Sequence, residues 1–504
     1  MARRQKTIQH AEAVVQHRHA LGDLRTATIL LSTRAGDSQM LQQGKEKALT
    51  VFRTFGVGED PNWQNRPLVR LLSDEQQTEL RQRLGEVLLL LCRSERLQHP
   101  PDDGAAWRWN LLAEQCYRPE EMPGILARQR QELIERVPGN VTGPVIHRPP
   151  SENDRYFDGL ELAAQTKYAE ALWKLLPFTE QNPGHFMAWF LRGVCHEGVA
   201  QLADAETAFT VCIALEPEFA RSYLNRGLVR LKQRKYEPAI ADLTLALGDP
   251  SLERLARMNR AIAYEGSKNW AEAERDLVQL LADPLAPTRA YFLRCKVREK
   301  LGKRTEAEQD RQEGLKREPH DALDWTARAV WRKDREPVQA LADLDEALRR
   351  NPKLLNALQS KAAVLGDHLG KPAEAVAVLD RLLELYPSHT EARAGRGVYL
   401  ARIGKVEAAR EDARASLEAD SSPFFLYQMA GLYAQISKHE PAGDARTEAL
   451  RLLARAFRAG FDQLQLIPND PDLDPIRTDP EFVRLVEHAR QLQKPIGSKN
   501  SGKS

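Results

Sequence analysis

Long apolar runs are missing from this chain of 504 residues, and the longest, Val87 to Cys92, is far too short to cross a bilayer. No membrane-spanning helix and no membrane partner are therefore expected. An excess of one charge is missing as well. The 73 Lys and Arg residues face 71 Asp and Glu, a net charge of +2, which leaves no global basic footprint and argues against nucleic acid as the main partner. Cysteine is scarce. Cys92, Cys116, Cys195, Cys212 and Cys295 are odd in number and lack any metal-type spacing, so they are read as buried free thiols. The opening Met1 to Lys6 leads into polar His10 to Glu12 and not into an apolar core, which predicts no secretory leader and, by default, a cytoplasmic protein.

Signals of catalysis are missing too. The Gly-Lys pairs at Gly44, Gly302, Gly370 and Gly404 are followed by Glu46, Arg304, Pro372 and Val406, so none supplies the hydroxyl that a phosphate loop offers to magnesium. They are read as hairpin turns. His196-Glu197 lacks the second His of a zinc helix, and His17 and His19, two apart, point to different faces. Asp470, Asp472 and Asp474 alternate with Pro471 and Leu473 and lack the Gly and the terminal Glu of a calcium loop, which leaves them turn and cap roles. No catalytic residue, metal or cofactor is expected.

What the chain has is a period. Gly159, Gly193, Gly227, Ala261, Cys295, Ala329, Ala363, Gly397 and Gly431 are all small and stand 34 residues apart. Twelve residues after them lie Ala171, Ala205, Ala239, Ala273, Ala307, Leu341, Ala375, Ala409 and Gly443, and prolines close many units at Pro183, Pro217, Pro319, Pro352 and Pro387. Two small residues twelve apart, in amphipathic stretches split by a loop, describe two helices crossing too closely for Cβ branches. The unit is a helical hairpin. Trp189, Tyr223 and Tyr291 stand four before the small residue and Tyr264 three after, while Phe209, Leu243, Leu277 and Leu379 mark the second helix. One unit slips, since Pro319 to Pro352 is 33 residues and Pro352 to Pro387 is 35. The Trp331 to Pro337 loop has lost a residue that the next unit regains.

This pattern resembles the tetratricopeptide repeat over about residues 152 to 455. The resemblance implies an all-α, right-handed superhelical solenoid whose first helices line a concave surface for protein or peptide partners. A composition of 42% hydrophobic and 29% charged residues suffices for an extended core. Residues 1–137 read as a helical domain out of phase with the repeats, with apolar periodicity at Ile8 to Leu21, Met40 to Phe55 and Leu80 to Leu97 and a capping box at Ser73 and Gln76. Two further helices are expected near Ala105 to Cys116 and Pro123 to Val137. A Pro/Gly linker at 138–151 follows, then nine repeats over 152–460, a capping segment with a last helix over 461–493, and a disordered tail at 494–504. Four stretches, Leu88 to Arg93, His185 to Cys195, Ala208 to Phe219 and Tyr223 to Leu228, are similar to the repeat-bearing C-terminal half of planctomycete-type serine/threonine protein kinases. The Gly-rich loop, the Val-Ala-Ile-Lys strand, the His-Arg-Asp loop and the Asp-Phe-Gly triplet of a kinase domain are absent. The resemblance therefore implies a regulatory or docking half of a split kinase system and carries over no catalytic residue.

Two sets of polar residues recur in phase. Arg192, Arg226, Arg260, Arg294, Arg328 and Arg396 precede the small residue, and Asp242, Asp276, Asp310 and Asp412 follow four of them by sixteen, with Asp343 fifteen after Arg328. They predict a charge pair from first to second helix at a partly exposed site, contributing ~0.2 to 1 kcal/mol each. The second set faces inward. Asn225 and Asn259 stand two before the small residue, where the repeat arms of sugar transferases grip a peptide backbone with a ladder of asparagines, and here the ladder has two rungs. Arg221, Lys232, Arg289, Lys296, Lys300, Lys333 and Lys361 add a basic stripe, which suits an acidic segment or a C-terminal carboxylate. The carboxylate clamp for chaperone tails is matched at Asn259 and Arg289 but not at Leu224, Leu228 and Leu293. The expected partner is a protein or peptide, acidic in character, and the sequence leaves the oligomeric state open.

Overall fold

A computed structural model describes residues 2–32, 38–97, 100–119, 121–134, 136 and 152–492. The expected linker at 138–151 and tail at 494–504 lie outside the described residues. Six helices come first: α1 (Ala2–Ser32), α2 (Ser38–Phe55), α3 (Pro67–Arg70), α4 (Asp74–Arg96), α5 (Asp103–Glu114) and α6 (Gly124–Ile134). Nine hairpins follow. They are α7/α8 (Glu152–Ala164, Tyr168–Gln181), α9/α10 (Phe186–Gly198, Leu202–Leu215), α11/α12 (Ala220–Lys232, Tyr236–Ala246), α13/α14 (Glu253–Gly266, Trp270–Leu280) and α15/α16 (Arg289–Lys300, Arg304–Lys316). The other four are α17/α18 (Ala322–Arg332, Pro337–Arg350), α19/α20 (Leu355–Ala363, Pro372–Leu385), α21/α22 (Thr390–Arg402, Val406–Ala419) and α23/α24 (Pro423–Ser437, Ala445–Arg458). Two 3-10 turns and α25 (Pro480–Leu492) close the chain. The fold is all-α, with no strand among the described residues, and no described helix is long and apolar enough to cross a membrane.

The chain forms two compact units, Met1–Ala273 and Glu274–Ser504. In the first, the early helices are not a separate body. One core runs from Ala13 on α1 through Leu84 and Leu88 on α4 to Phe178, Phe190 and Phe209 in the first hairpins. Polar contacts repeat the join: the Tyr156 hydroxyl donates to buried Glu86, Arg93 pairs with Glu161 at 3.2 Å, and the Gly124 amide donates to Asp154. Ser73 and Gln76 make the expected capping box at the start of α4. All five cysteines are free and buried, and burial pushes the thiols of Cys92, Cys116, Cys195 and Cys295 up to about 12.

The small residues sit at helix crossings, as the spacing predicts. A Cβ added to Gly193 would lie 2.7 Å from the Phe209 ring, and one on Gly227 would lie 2.9 Å from Leu243 Cγ. Each would force the second helix away. The turn between helices is equally regular. Thr166, Ala200, Arg234 and Lys268 have φ of 61°, 62°, 59° and 64°, and Gly302, Gly370 and Gly404 have 78°, 64° and 76°. These glycines belong to three of the four Gly-Lys pairs, so the hairpin-turn reading holds for them but not for Gly44, which lies inside α2 against Leu30 and Leu31.

Three positions differ from the expected register. In the slipped unit Ala340 is fully buried and Leu341 only half-buried, so the close crossing falls eleven residues after Ala329. In the next unit Ala362 is buried and Ala363 is not, and the regained residue is taken up inside the helix. Val364–His368 is a π-turn, with the Leu369 amide bonded to Val364 O; widening one turn admits one extra residue without ending the helix. Gly443 lies in the loop before α24, outside the second helix. Its partner Gly431 instead lets the closing segment approach, since a Cβ there would be 3.0 Å from Asp472 Cβ. Leu473 and Ile476 of that segment are fully buried.

Candidate functional site

Four of the arginines before the small residues, Arg226, Arg294, Arg328 and Arg396, form the expected bridge, but at a buried site, while Arg192 donates to Thr179. Arg226 donates to both oxygens of Asp242 at 2.9 and 2.7 Å. Arg294 binds Asp310 in the same fork, closest at 2.6 Å, Arg328 binds Asp343 at 3.0 and 2.8 Å, and Arg396 binds Asp412 at 2.8 and 2.7 Å. The four aspartates are 2% to 3% exposed. The expectation of a partly exposed pair is corrected by the second arginine that burial calls for. One helical turn on, Arg230, Arg298 and Arg332 donate to Asp242, Asp310 and Asp343 at 2.8, 2.9 and 3.0 Å, so these three carboxylates each face two cations.

The first arginine also reaches the preceding hairpin, Arg226 to Thr210 Oγ1 at 3.1 Å and Arg396 to Asp380 at 2.8 Å. It lies over the aromatic ring three residues earlier as well: Arg192 over Trp189 and Arg328 over Trp325, both at 4.5 Å, and Arg294 over Tyr291 at 5.6 Å. The bonds to Asp242 outweigh burial and raise the Arg226 pKa further. In the first unit Arg260 donates to Thr244 at 2.9 Å, and Asp276, in the second, is buried. These arginines hold hairpins together, which is the structural role expected of them.

The residues expected to contact a partner divide differently. In the first unit Lys232 is an exposed ion pair with Glu197 at 2.7 Å, and the Asn259 amide donates to Leu255 O of its own helix at 2.7 Å. Arg221 is half-buried, and burial lowers its pKa against the pull of Asp249. Asn225 is half-buried. In the second unit Arg289 is a latch: one guanidinium nitrogen reaches Asp321 and Asp324, both at 2.8 Å. Asp324 is fully buried and also accepts the backbone amides of Thr288 and Arg289 at 3.0 Å. Lys361 pairs with Asp345 at 2.6 Å. Lys296 and Lys300 are exposed and Lys333 half-buried.

Reading for polar ligand residues missed the apolar ones beside them. Leu255 and Ile262, flanking Asn259 on α13, are 43% and 36% exposed, and Leu323 and Val330 on α17 are 43% and 41% exposed. Both pairs are seven residues apart, on one helix face. That spacing was the available signal. The first unit also holds a cavity of about 1160 Å³ between α1 and the turns before α11 and α13, lined by His17, Arg18, Arg25, Glu79, Glu216, Phe219, Tyr223 and Asp249 among others. Arg25 crosses its wall, 2.6 Å from Glu216 and 5.5 Å from the centre of the Phe186 ring. Treating 1–137 as a separate domain hid this wall.

Comparison with known proteins matches the family described as tetratricopeptide repeat at residues 224–290 and 368–422. The human DnaJ homolog subfamily C member 3 is 27% identical over 254 residues, 50% of this chain and 40% of that protein. The wheat (Triticum aestivum) Hsp70-Hsp90 organizing protein is 24% identical over 173 residues, 31% of this chain and 30% of that protein. The chain thus spans less than half the length of either relative. Among solved structures, the P58(IPK) TPR domain aligns with 68% of this chain and 98% of its own, at 17% identity and a TM-score of 0.21. The family match thus places tetratricopeptide repeats at residues 224–290 and 368–422, and the small-residue crossings keep the same 34-residue spacing from Gly159 to Ala329.

Proposed function

We propose that the protein is a non-enzymatic, cytoplasmic scaffold that holds an extended acidic segment of a partner protein against the first helices of its hairpins. One observation carries the reading: Leu323 and Val330 stay exposed on α17 while every bridging aspartate is buried. Lys333 follows Val330 at the C-terminal cap of α17, and α15, which presents Lys296 and Lys300, packs beside α17. Exposed apolar side chains flanked by cations suit a segment that alternates apolar and acidic residues. In the first unit Asn225 and Asn259 offer amides to a peptide backbone, Asn259 through its carbonyl oxygen. Arg289, Lys232 and Lys361 act mainly within the fold. The name of the wheat relative points to organising other proteins, which agrees with a scaffold. The reading as a docking half of a protein kinase rests on sequence resemblance alone.

The test is a partner captured by pull-down, identified by mass spectrometry and remeasured by calorimetry. Lys300→Glu with Lys333→Glu should weaken binding more than about tenfold, and high salt should weaken the parent complex. Val330→Glu should do the same without lowering the melting temperature. A partner that binds all these variants as tightly as the parent rules out this face.

A further inference from the structure

The second unit holds a cavity of about 470 Å³, walled by α21, α23 and the stretch from Gln465 to Asp472. Its rim is apolar. Phe424 and Leu466 are 42% and 38% exposed there, and Val398 and Tyr399 line the α21 side. Carboxylates line it too, half-buried Asp470 and Asp472 inside and exposed Asp367 and Glu391 at its edge, against the one guanidinium of Arg402. That guanidinium is already engaged, donating to Asp367 at 2.7 Å and to Asp472 at 2.8 and 2.9 Å.

The other two carboxylates have no cation of their own among the described residues. Asp470 is held by neutral donors, the Tyr427 hydroxyl at 2.5 Å and the Asp472 amide at 3.0 Å. Glu391 lies 3.2 Å from His389 Nδ1, but that nitrogen accepts the Ala392 amide at 3.2 Å as the cap of α21 and so has no proton to share. Negative charge inside and at the edge of a cavity that also exposes apolar side chains calls for a long side chain, apolar along its stem and cationic at its tip.

We propose that this cavity receives a lysine or arginine side chain of a partner protein, its stem against Phe424 and Leu466 and its charged tip at Asp470 and Glu391. An aromatic wall adds to the attraction, because a cation over a ring face gains from the ring's quadrupole. The partner segment here is basic, the opposite of the one proposed for α15 and α17, and the two readings stand or fall separately.

The probe is a fluorescein-labelled dodecapeptide of four Ala-Lys-Leu triplets, with Ala-Glu-Leu and Ala-Gln-Leu counterparts, titrated with the full chain by fluorescence anisotropy. The lysine peptide should bind, and more tightly than the other two. Phe424→Ala should weaken it roughly fivefold and Glu391→Lys more than about tenfold, while Val330→Glu should leave it unchanged. Glu391 is exposed, so its variant keeps the fold and decides the matter even if Phe424→Ala, which removes a ring stacked 6.3 Å from Phe461, loosens it. The proposal is overturned if the lysine peptide fails to bind, binds Glu391→Lys as well as the parent, or is matched by the glutamate peptide.

Discussion

The hairpin turns of the two units share a backbone and differ in residue. Thr166, Ala200, Arg234 and Lys268 in the first unit, and Gly302, Gly370 and Gly404 in the second, all end the first helix in the left-handed region. Glycine enters that region without cost, whereas a residue with a Cβ is strained there by about 1 kcal/mol or more. The contrast teaches that the reversal is imposed by the packing of the two helices and not by the residue at the turn. If glycine created the turn, the first unit would lack it. The bridging arginines, by contrast, are the same in both units: Asp242 and Asp310 each accept from two arginines, and Glu206 and Glu274 take the outer pairs, from Arg230 and Lys235 and from Arg298 and Lys303.

The sharpest way to break this likeness is to remove the shared carboxylate. Asp242→Ala and Asp310→Ala should each destabilise their unit by about 3 to 5 kcal/mol, because two half-buried guanidiniums lose their counter-charge. Chemical denaturation checks this, and a large loss in one unit with almost none in the other would end the equivalence. Next in size, Gly227→Leu should cost about 1 to 3 kcal/mol, since its first side-chain carbon already meets Leu243; an unchanged melting temperature would contradict the crossing.

The turns themselves predict opposite signs in the two units. Arg234→Gly should stabilise by about 1 kcal/mol and Gly302→Arg should destabilise by about the same. A loss in both would mean the turn residue acts through other contacts. The smallest effect is acid sensitivity. Burial opposes the ionisation of Glu206 and Glu274, but bonds from Lys235 and Arg230, and from Lys303 and Arg298, outweigh it and hold both below the ordinary carboxylate range. A depressed folded value contributes stability that is present above the unfolded value, near ~4.3, and is lost as pH falls through the folded one. Arg230→Gln should therefore narrow the loss of stability between pH 6 and pH 3 by under about 1 kcal/mol, read from denaturation midpoints. An unaltered pH profile would show that Glu206 is not held low by Arg230.

The hairpins were legible because a close crossing admits only small side chains, and a spacing of 34 makes that demand visible. Even the sixteen-residue step from Arg226 to Asp242 could be read in advance. What stayed hidden depends on contacts without a period. Tyr156 meets Glu86 across 70 residues, which is why the early helices looked detached from the first hairpins. The partner of Arg289 lies 35 residues on at Asp324, outside the recurring step, so the latch could not be read beside the ligand role expected of Arg289. Leu341 and Ala363 were each one place from the true crossing because an integer period cannot say where in a slipped unit the count is made good.

That correction of the count has a consequence for the cavity beside α21. Each residue added to an α-helix rotates everything beyond it by about 100°, so a regained residue left in regular helix would have swung the end of α19 away from its neighbour. The wide turn at Val364–His368 absorbs the rotation locally. It sets Gly366 against the Tyr399 ring, where a Cβ would come within 2.3 Å, and turns Asp367 to the Tyr399 hydroxyl at 3.0 Å and to Arg402. A miscount in the chain's ruler has become one wall of a charged cavity, and straightening that turn by deleting Gly366 would point Asp367 elsewhere and leave Arg402 to Asp472 alone.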